Sequence, residues 1–126
     1  MYHHMTVGTN DLAKARAFYD ATLSTLGAKR VRDMEDRASV WAGDSGQPFI
    51  VLTPSDGQAA TVGNGLTIGF AAPTPAAVDA FHAAGLAAGG TDEGAPGPRG
   101  FAPNAYAAYL RDPDGNKVTA IAYQNS

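Results

Sequence analysis

Few side chains in this sequence can do chemistry unaided. Three histidines and no cysteine rule out disulfides, thiolate metal sites and a cysteine nucleophile. There is no serine nucleophile elbow, phosphate-binding glycine loop or metalloprotease helix motif. What remains begins with His4, in His3-His4-Met5-Thr6-Val7-Gly8. An imidazole with an ordinary pKa of about 6.5 can serve as a general base, a metal ligand or the polar lining of a cleft. Arg99, in Gly97-Pro98-Arg99-Gly100-Phe101, offers a guanidinium that could hold a carboxylate or phosphate, or simply a solvated loop cation. Trp41 and Phe49 could stack on a ring or wall a cleft, against the commoner use of strand aromatics as core. Tyr106 and Tyr109 must lie on opposite faces of a strand, so at most one meets a ligand, and Arg111 shares the face of Tyr109 at the strand end. Asp112, Asp114 and Asn116 space their oxygens like a calcium loop, but Asp-Pro-Asp-Gly explains them as a turn.

The elements that would position these groups follow from periodicity. Residues 3–8 alternate, Met5 and Val7 against His4, Thr6 and Gly8, which predicts a half-buried strand. Asn10 or Asp11 caps a helix on which Leu12, Ala15, Phe18, Tyr19, Thr22, Leu23 and Leu26 form one face, and Gly27 stops it. Strands are expected over 28–34, 38–42 and 48–53. After a polar, aperiodic stretch, residues 65–71 alternate again. Pro73, Thr74 and Pro75 open a second helix through Val78, Phe81, His82 and Leu86 to Gly89-Gly90. Residues 91–104, rich in Gly and Pro, suggest a loop with a short edge strand. Residues 106–111 and 117–123 read as a hairpin closed by the Asp-Gly turn.

The second half repeats the first. Ala17-Phe18-Tyr19 aligns without a gap on Ala80-Phe81-His82, Ala21 on Ala84, Leu23 on Leu86 and Gly27 on Gly90, at an offset of half the 126-residue chain. Such a period marks two copies of one supersecondary unit. The expectation is one α+β domain of two tandem βαβββ modules, about 1–54 and 64–126 with a connector at 55–63, forming a cleft-bearing antiparallel sheet with helices on the other face. A net charge of −3 without long runs disfavours nucleic-acid or anionic-membrane partners. No span of about 18 apolar residues and no secretion signal is visible, and a cytoplasmic location is compatible.

The stretch His4-Met5-Thr6-Val7-Gly8-Thr9-Asn10-Asp11-Leu12 with Ala17-Phe18-Tyr19, and the ending Tyr109-Leu110-Arg111-Asp112-Pro113-Asp114-Gly115-Asn116-Lys117-Val118, resemble the opening and closing motifs of the vicinal oxygen chelate superfamily. That superfamily includes glyoxalase I, bleomycin-resistance proteins, fosfomycin-resistance enzymes and extradiol dioxygenases. The resemblance implies a cleft whose metal-using members hold a divalent ion on the first and last strands of each module. It puts His4 at the first position, Thr67 at its repeat partner, Thr119 where a carboxylate is expected, and about Val51 at the fourth. One donor of four survives, whereas a protein-held divalent ion generally needs about three His or carboxylate ligands. His3 is expected to point away from His4, and His82 to lie on an outside helix. The resemblance also implies a homodimer and a loop around Arg99 bordering the cleft. The expectation is therefore a small organic molecule bound in a metal-free cleft lined by Thr6, Trp41, Phe49, Thr67, Arg99, Tyr109 and Thr119. The competing readings are a metal-dependent lyase or dioxygenase using His4, and a metal-free enzyme in which His4 moves a proton.

Overall fold

The structure is a computed structural model that describes residues 1–124. The chain runs β1 (Met5–Gly8), α1 (Leu12–Ser24), β2 (Lys29–Met34), β3 (Ala38–Ala42), β4 (Phe49–Leu52), then β5 (Ile68–Ala71), α2 (Pro75–Ala87), β6 (Thr91–Pro98), β7 (Ala105–Arg111) and β8 (Lys117–Tyr123). Two βαβββ modules follow one another, as the repeat requires. They form two four-stranded sheets rather than one, ordered β1-β4-β3-β2 and β5-β8-β7-β6. Each sheet is mixed, because the first strand of a module pairs parallel with its last. Neither 13-residue helix is long and apolar enough to cross a membrane.

The helices start and stop for the same local reasons. Asp11 and Thr74 each accept a backbone N–H three residues on, at 3.1 Å, and Pro75 supplies a preset first residue in α2. Each helix ends on a glycine at positive φ, Gly27 (+86°) and Gly89 (+96°). The next residue's N–H then reaches back five positions, from Ala28 to Leu23 and from Gly90 to Gly85, which is the Schellman closure. α1 stops at Ser24, before Leu26. In α2, Leu86 is exposed. The inward position is taken by Gly85, so close to Leu110 that a Cβ there would collide with it.

One core joins the modules. Phe18, Tyr19, Trp41, Val51, Val78, Phe81, Leu110, Val118 and Ala120 have no exposed surface. Phe49 of one module meets Phe70 of the other edge to face, with centroids 5.0 Å apart. A polar bolt reinforces this contact. The Asp112 carboxylate, almost fully buried, accepts from the Tyr19 hydroxyl at 2.6 Å, from Asn116 Nδ2 at 2.9 Å and from the backbone N–H groups of Asp114 and Asn116 at 2.9 Å each. Asn116 Nδ2 also donates to Gly8 O, while Asp114 accepts from the Thr9 hydroxyl and Asn10 N. The Asp-Pro-Asp-Gly-Asn turn of module two is thereby clamped on the β1–α1 junction of module one. The turn's carboxylates are spent on protein donors.

Burial first, then the Asp112 carboxylate, hold the Tyr19 phenol well above its usual value near 10. A raised folded-state value means that the neutral phenol's contribution to folding is fully present below the unfolded value near 10. The contribution is lost as pH rises past the unfolded value, at up to about 1.4 kcal/mol per pH unit. Urea midpoints should therefore fall above about pH 10 in the parent protein and fall less steeply in Tyr19→Phe. Parallel curves for the two proteins would contradict this assignment.

Candidate functional site

Strand alternation gives each sheet a helix-facing side and an outward side. In the first sheet Val7, Phe49, Val51, Ser39 and Trp41 turn to the helix and are buried. The outward set forms a cross-strand row Thr6–Ile50–Val40–Arg32. In the second sheet the corresponding row is Gly69–Thr119–Tyr109–Gly94, beside Ala71–Ile121–Ala107–Gly97. Of the candidate side chains, Thr6, Tyr109 and Thr119 belong to these rows.

Tyr109 is the centre of the second face. The guanidinium carbon of Arg99 lies 5.6 Å from its ring centroid and the Lys117 ammonium 5.3 Å, both within cation–π reach. Arg99 is held in place by carbonyls: its Nη1 donates to Gly97 O at 2.9 Å and Pro98 O at 3.1 Å, and its Nη2 to Ala95 O at 2.7 Å. Glycine makes this seat possible. A Cβ at Gly94 would come within 3.3 Å of both Arg99 Nη2 and the Tyr109 ring. Pairing with β7 makes 91–98 a full edge strand despite its Gly and Pro content, with register slips at Asp92/Gly94 and Gly94/Gly97; proline is tolerated at a sheet edge.

Other residues are placed differently from the sequence expectation. Trp41 and Phe49 are core, not cleft. Trp41 has no exposed surface, packs near Tyr19 and Phe49, and donates Nε1–H to Asp20 at 3.0 Å. Phe49 is 5% exposed and meets Tyr19 and Phe70. Strand parity fixes which residues share a face but not which face turns to the helix, and α1 supplies aromatic partners on that side. His82 stands on α2, the helix covering the second sheet, where it is nearly buried and bonded through Nε2 to Asp92 of β6 at 2.8 Å. His3 and His4 precede β1, so alternation does not separate them; their Nδ1 atoms lie 2.9 Å apart. Both rings are exposed.

Thr6 and Thr67 are exposed. Thr119 is outward by register but 2% exposed, and its hydroxyl donates to Ala108 O at 2.8 Å. Val51 points into the core, flanked on the outward side by Ile50 and Leu52. Tyr106 and Tyr109 separate as alternation requires, Tyr106 donating to Asp79 of α2 at 2.6 Å. Arg111 is pinned by Glu93, with Nε and Nη2 each 3.3 Å from a carboxylate oxygen, and by Gly115 O at 3.0 Å. The Arg111 hydrogen bond holds the Glu93 carboxyl below the usual range. Among the described residues no group of three or more His, Cys, Asp or Glu side chains is close enough to hold a metal ion.

Lys117 was not singled out by the motif in which it stands. Its signal was nevertheless present: it shares strand parity with Thr119 and, across the register, with Arg111. It lines a recess of about 380 Å³ with Thr67, Arg111 and the connector around Leu66.

Paired βαβββ modules on one core define a fold class rather than one activity. Residues 2–119 match the Glyoxalase/Bleomycin resistance protein/Dioxygenase superfamily, and the chain belongs to that family. It is 48% identical to a glyoxalase/bleomycin resistance protein from Albidiferax ferrireducens, with 97% of this chain and 98% of that one covered at a TM-score of 0.88. It shares its fold with a lactoylglutathione lyase from Agrobacterium tumefaciens (22% identity, 97% and 92% covered, TM-score 0.63). It also shares it with a fosfomycin resistance protein from Mesorhizobium loti (16%, 97% and 91%, 0.69). No functionally curated protein matches the sequence.

Proposed function

We propose that the protein binds a small organic molecule against its outward sheet faces without a resident divalent metal, and that a second copy of the chain covers those faces. The observation that supports this is the donor set at the four positions where the family resemblance puts metal ligands. They are one exposed imidazole at His4, one hydrocarbon in the core at Val51, one exposed hydroxyl at Thr67 and one hydroxyl already spent on a carbonyl at Thr119. Threonine hydroxyls bring no negative charge to offset dehydration of a dication, so this set does not fit a divalent ion. What the faces do offer is a tyrosine ring flanked by cations, hydroxyls at Thr6 and Thr67, and hydrocarbon from Ile50, Val40 and Ile121. A few polar groups on an apolar wall suit small-molecule binding.

A proton-transfer enzyme using His4 is the second reading, favoured by the exposed His3–His4 contact, in which one ring nitrogen must accept from the other. A lyase or dioxygenase that works through a metal would need carboxylates that these positions lack.

Protein purified without a His tag is expected to take up no stoichiometric nickel, zinc, manganese or iron, and to keep its thermal midpoint in chelator. Tight stoichiometric uptake abolished by His4→Ala would overturn the metal-free reading. A thermal-shift screen of small organic molecules should find a stabilising ligand, worth about 2.7 kcal/mol at 100 times its Kd. Any turnover whose pH profile disappears with His4→Ala would move the assignment to the second reading.

A further inference from the structure

The structure assigns the recess between the connector and the outward face of β7–β8 to a small organic oxyanion, a carboxylate or phosphonate with an apolar body, anchored by Lys117. This rests on the reading that the outward faces bind small molecules, and names the class of molecule. Three observations converge on it.

The first is charge. Two cations line the recess, Arg111 and Lys117, and no carboxylate does. Arg111 is matched by Glu93. Lys117 takes part in no ion pair among the described residues. Glu93 feels the Lys117 charge, but both its oxygens are engaged by Arg111. The recess therefore carries one uncompensated positive charge, fixed beside the Tyr109 ring.

The second is the remaining lining. Thr67 and Asn64 stand in the recess, and neither side chain makes a hydrogen bond to another described residue. A hydroxyl, an amide and an ammonium together complement an oxyanion. Val62 and Leu66, also in the lining, are 42% and 49% exposed, which gives the apolar part of an amphipathic ligand something to cover.

The third is that the wall is built. Leu66 N donates to Gly63 O at 3.1 Å and Gly65 takes φ +94°, the geometry of a β-turn that requires glycine at its third residue. A Cβ at Gly115 would touch Val62 at 3.5 Å, so the connector lies against the β7–β8 turn. A volume of about 380 Å³ falls within the range of about 300–1,000 Å³ usual for small-molecule sites.

The test is an amide-resolved NMR titration of the full chain with benzoate, phenylphosphonate and the neutral benzamide. Saturable shifts are expected at Gly63, Gly65, Thr67 and Lys117 with one or both anions, at least about tenfold weaker with benzamide, the scale of one charged hydrogen bond. Which anion binds more tightly identifies the acid group. Lys117→Met should weaken binding by about tenfold or more, while Lys117→Arg retains most of it and Lys29→Met, an exposed lysine on β2, leaves it unchanged. Equal affinity for benzoate and benzamide, or unchanged affinity in Lys117→Met, would overturn the assignment. In those cases the thermal-shift screen judges binding on the outward faces separately. Shifts without saturation, spread over all the lysines, would also overturn it.

Discussion

Asp112→Ala is expected to lose about 3–5 kcal/mol of stability, because it removes a buried charged acceptor whose hydrogen bonds are worth about 1.5–3 kcal/mol each before relaxation. The substitution takes away the acceptor for four donors at once: the Tyr19 hydroxyl, the Asn116 amide and the N–H groups of Asp114 and Asn116. Residue 112 is 3% exposed and Tyr19 fully buried, so water does not readily replace the lost acceptor. Each buried donor left unsatisfied costs about 1–3 kcal/mol, but relaxation of the turn keeps the sum below four separate penalties. Against a typical total stability of about 5–15 kcal/mol, this is about a third or more of what a domain at the middle of that range has. Trp41, the single tryptophan and fully buried in module one, gives a fluorescence readout of urea unfolding. Asp112→Asn retains one oxygen acceptor and should lose clearly less. A double-mutant cycle with Tyr19→Phe should show coupling, because both groups belong to one network. A loss below about 1 kcal/mol in Asp112→Ala would mean that the turn is not what fastens the modules together.

How legible the molecule was depends on the length scale of the cause. The two helices were readable because their caps are local: Asp11 and Thr74 stand 63 residues apart, as do the last helical residues Ser24 and Ala87, and the hydrophobic face between them repeats. β6 was hidden because its residues favour turns; pairing with β7 makes it a strand. Among the site candidates, Thr6 and Tyr109 lie on outward faces, as alternation predicts, and Thr67 is exposed just before β5. Trp41 and Phe49 do not, because the choice of face is made by what α1 presents, which is tertiary information. Thr119 shows a finer limit: its parity is outward, yet its neighbours cover it. Lys117 obeys the same parity rule, but that its charge has no ion-pair partner among the described residues follows from Glu93 turning to Arg111, which is tertiary information.

Gly90→Ala is expected to lose about 3 kcal/mol, at the upper end of the usual range for overpacking. Repeat alignment pairs Gly90 with Gly27 as a helix stop, but the positive φ belongs to Gly89. What position 90 requires is space. A Cβ there would lie 2.5 Å from Phe18 Cε1 and 2.9 Å from the carbonyl oxygens of Arg111 and Gly85. Phe18 is fully buried, and the two carbonyls are backbone at the end of β7 and in α2, so no flexible side chain can swing aside. Gly90 N also donates to Gly85 O at 2.8 Å. Relieving the clash by moving the backbone would therefore stretch the closure of α2, whereas shifting Phe18 would open the packing between α1 and the second module. Gly100→Ala is the control: it has a glycine backbone of ordinary φ with nothing within 4 Å of the added methyl, and should change stability by no more than about 0.5 kcal/mol. At roughly 4 °C per kcal/mol for a chain of this size, the first variant should melt about 12 °C below the parent and the second within about 2 °C of it. If the two variants melt together, the close approach of Gly90 to Phe18 is not what sets the spacing between α1 and the second module.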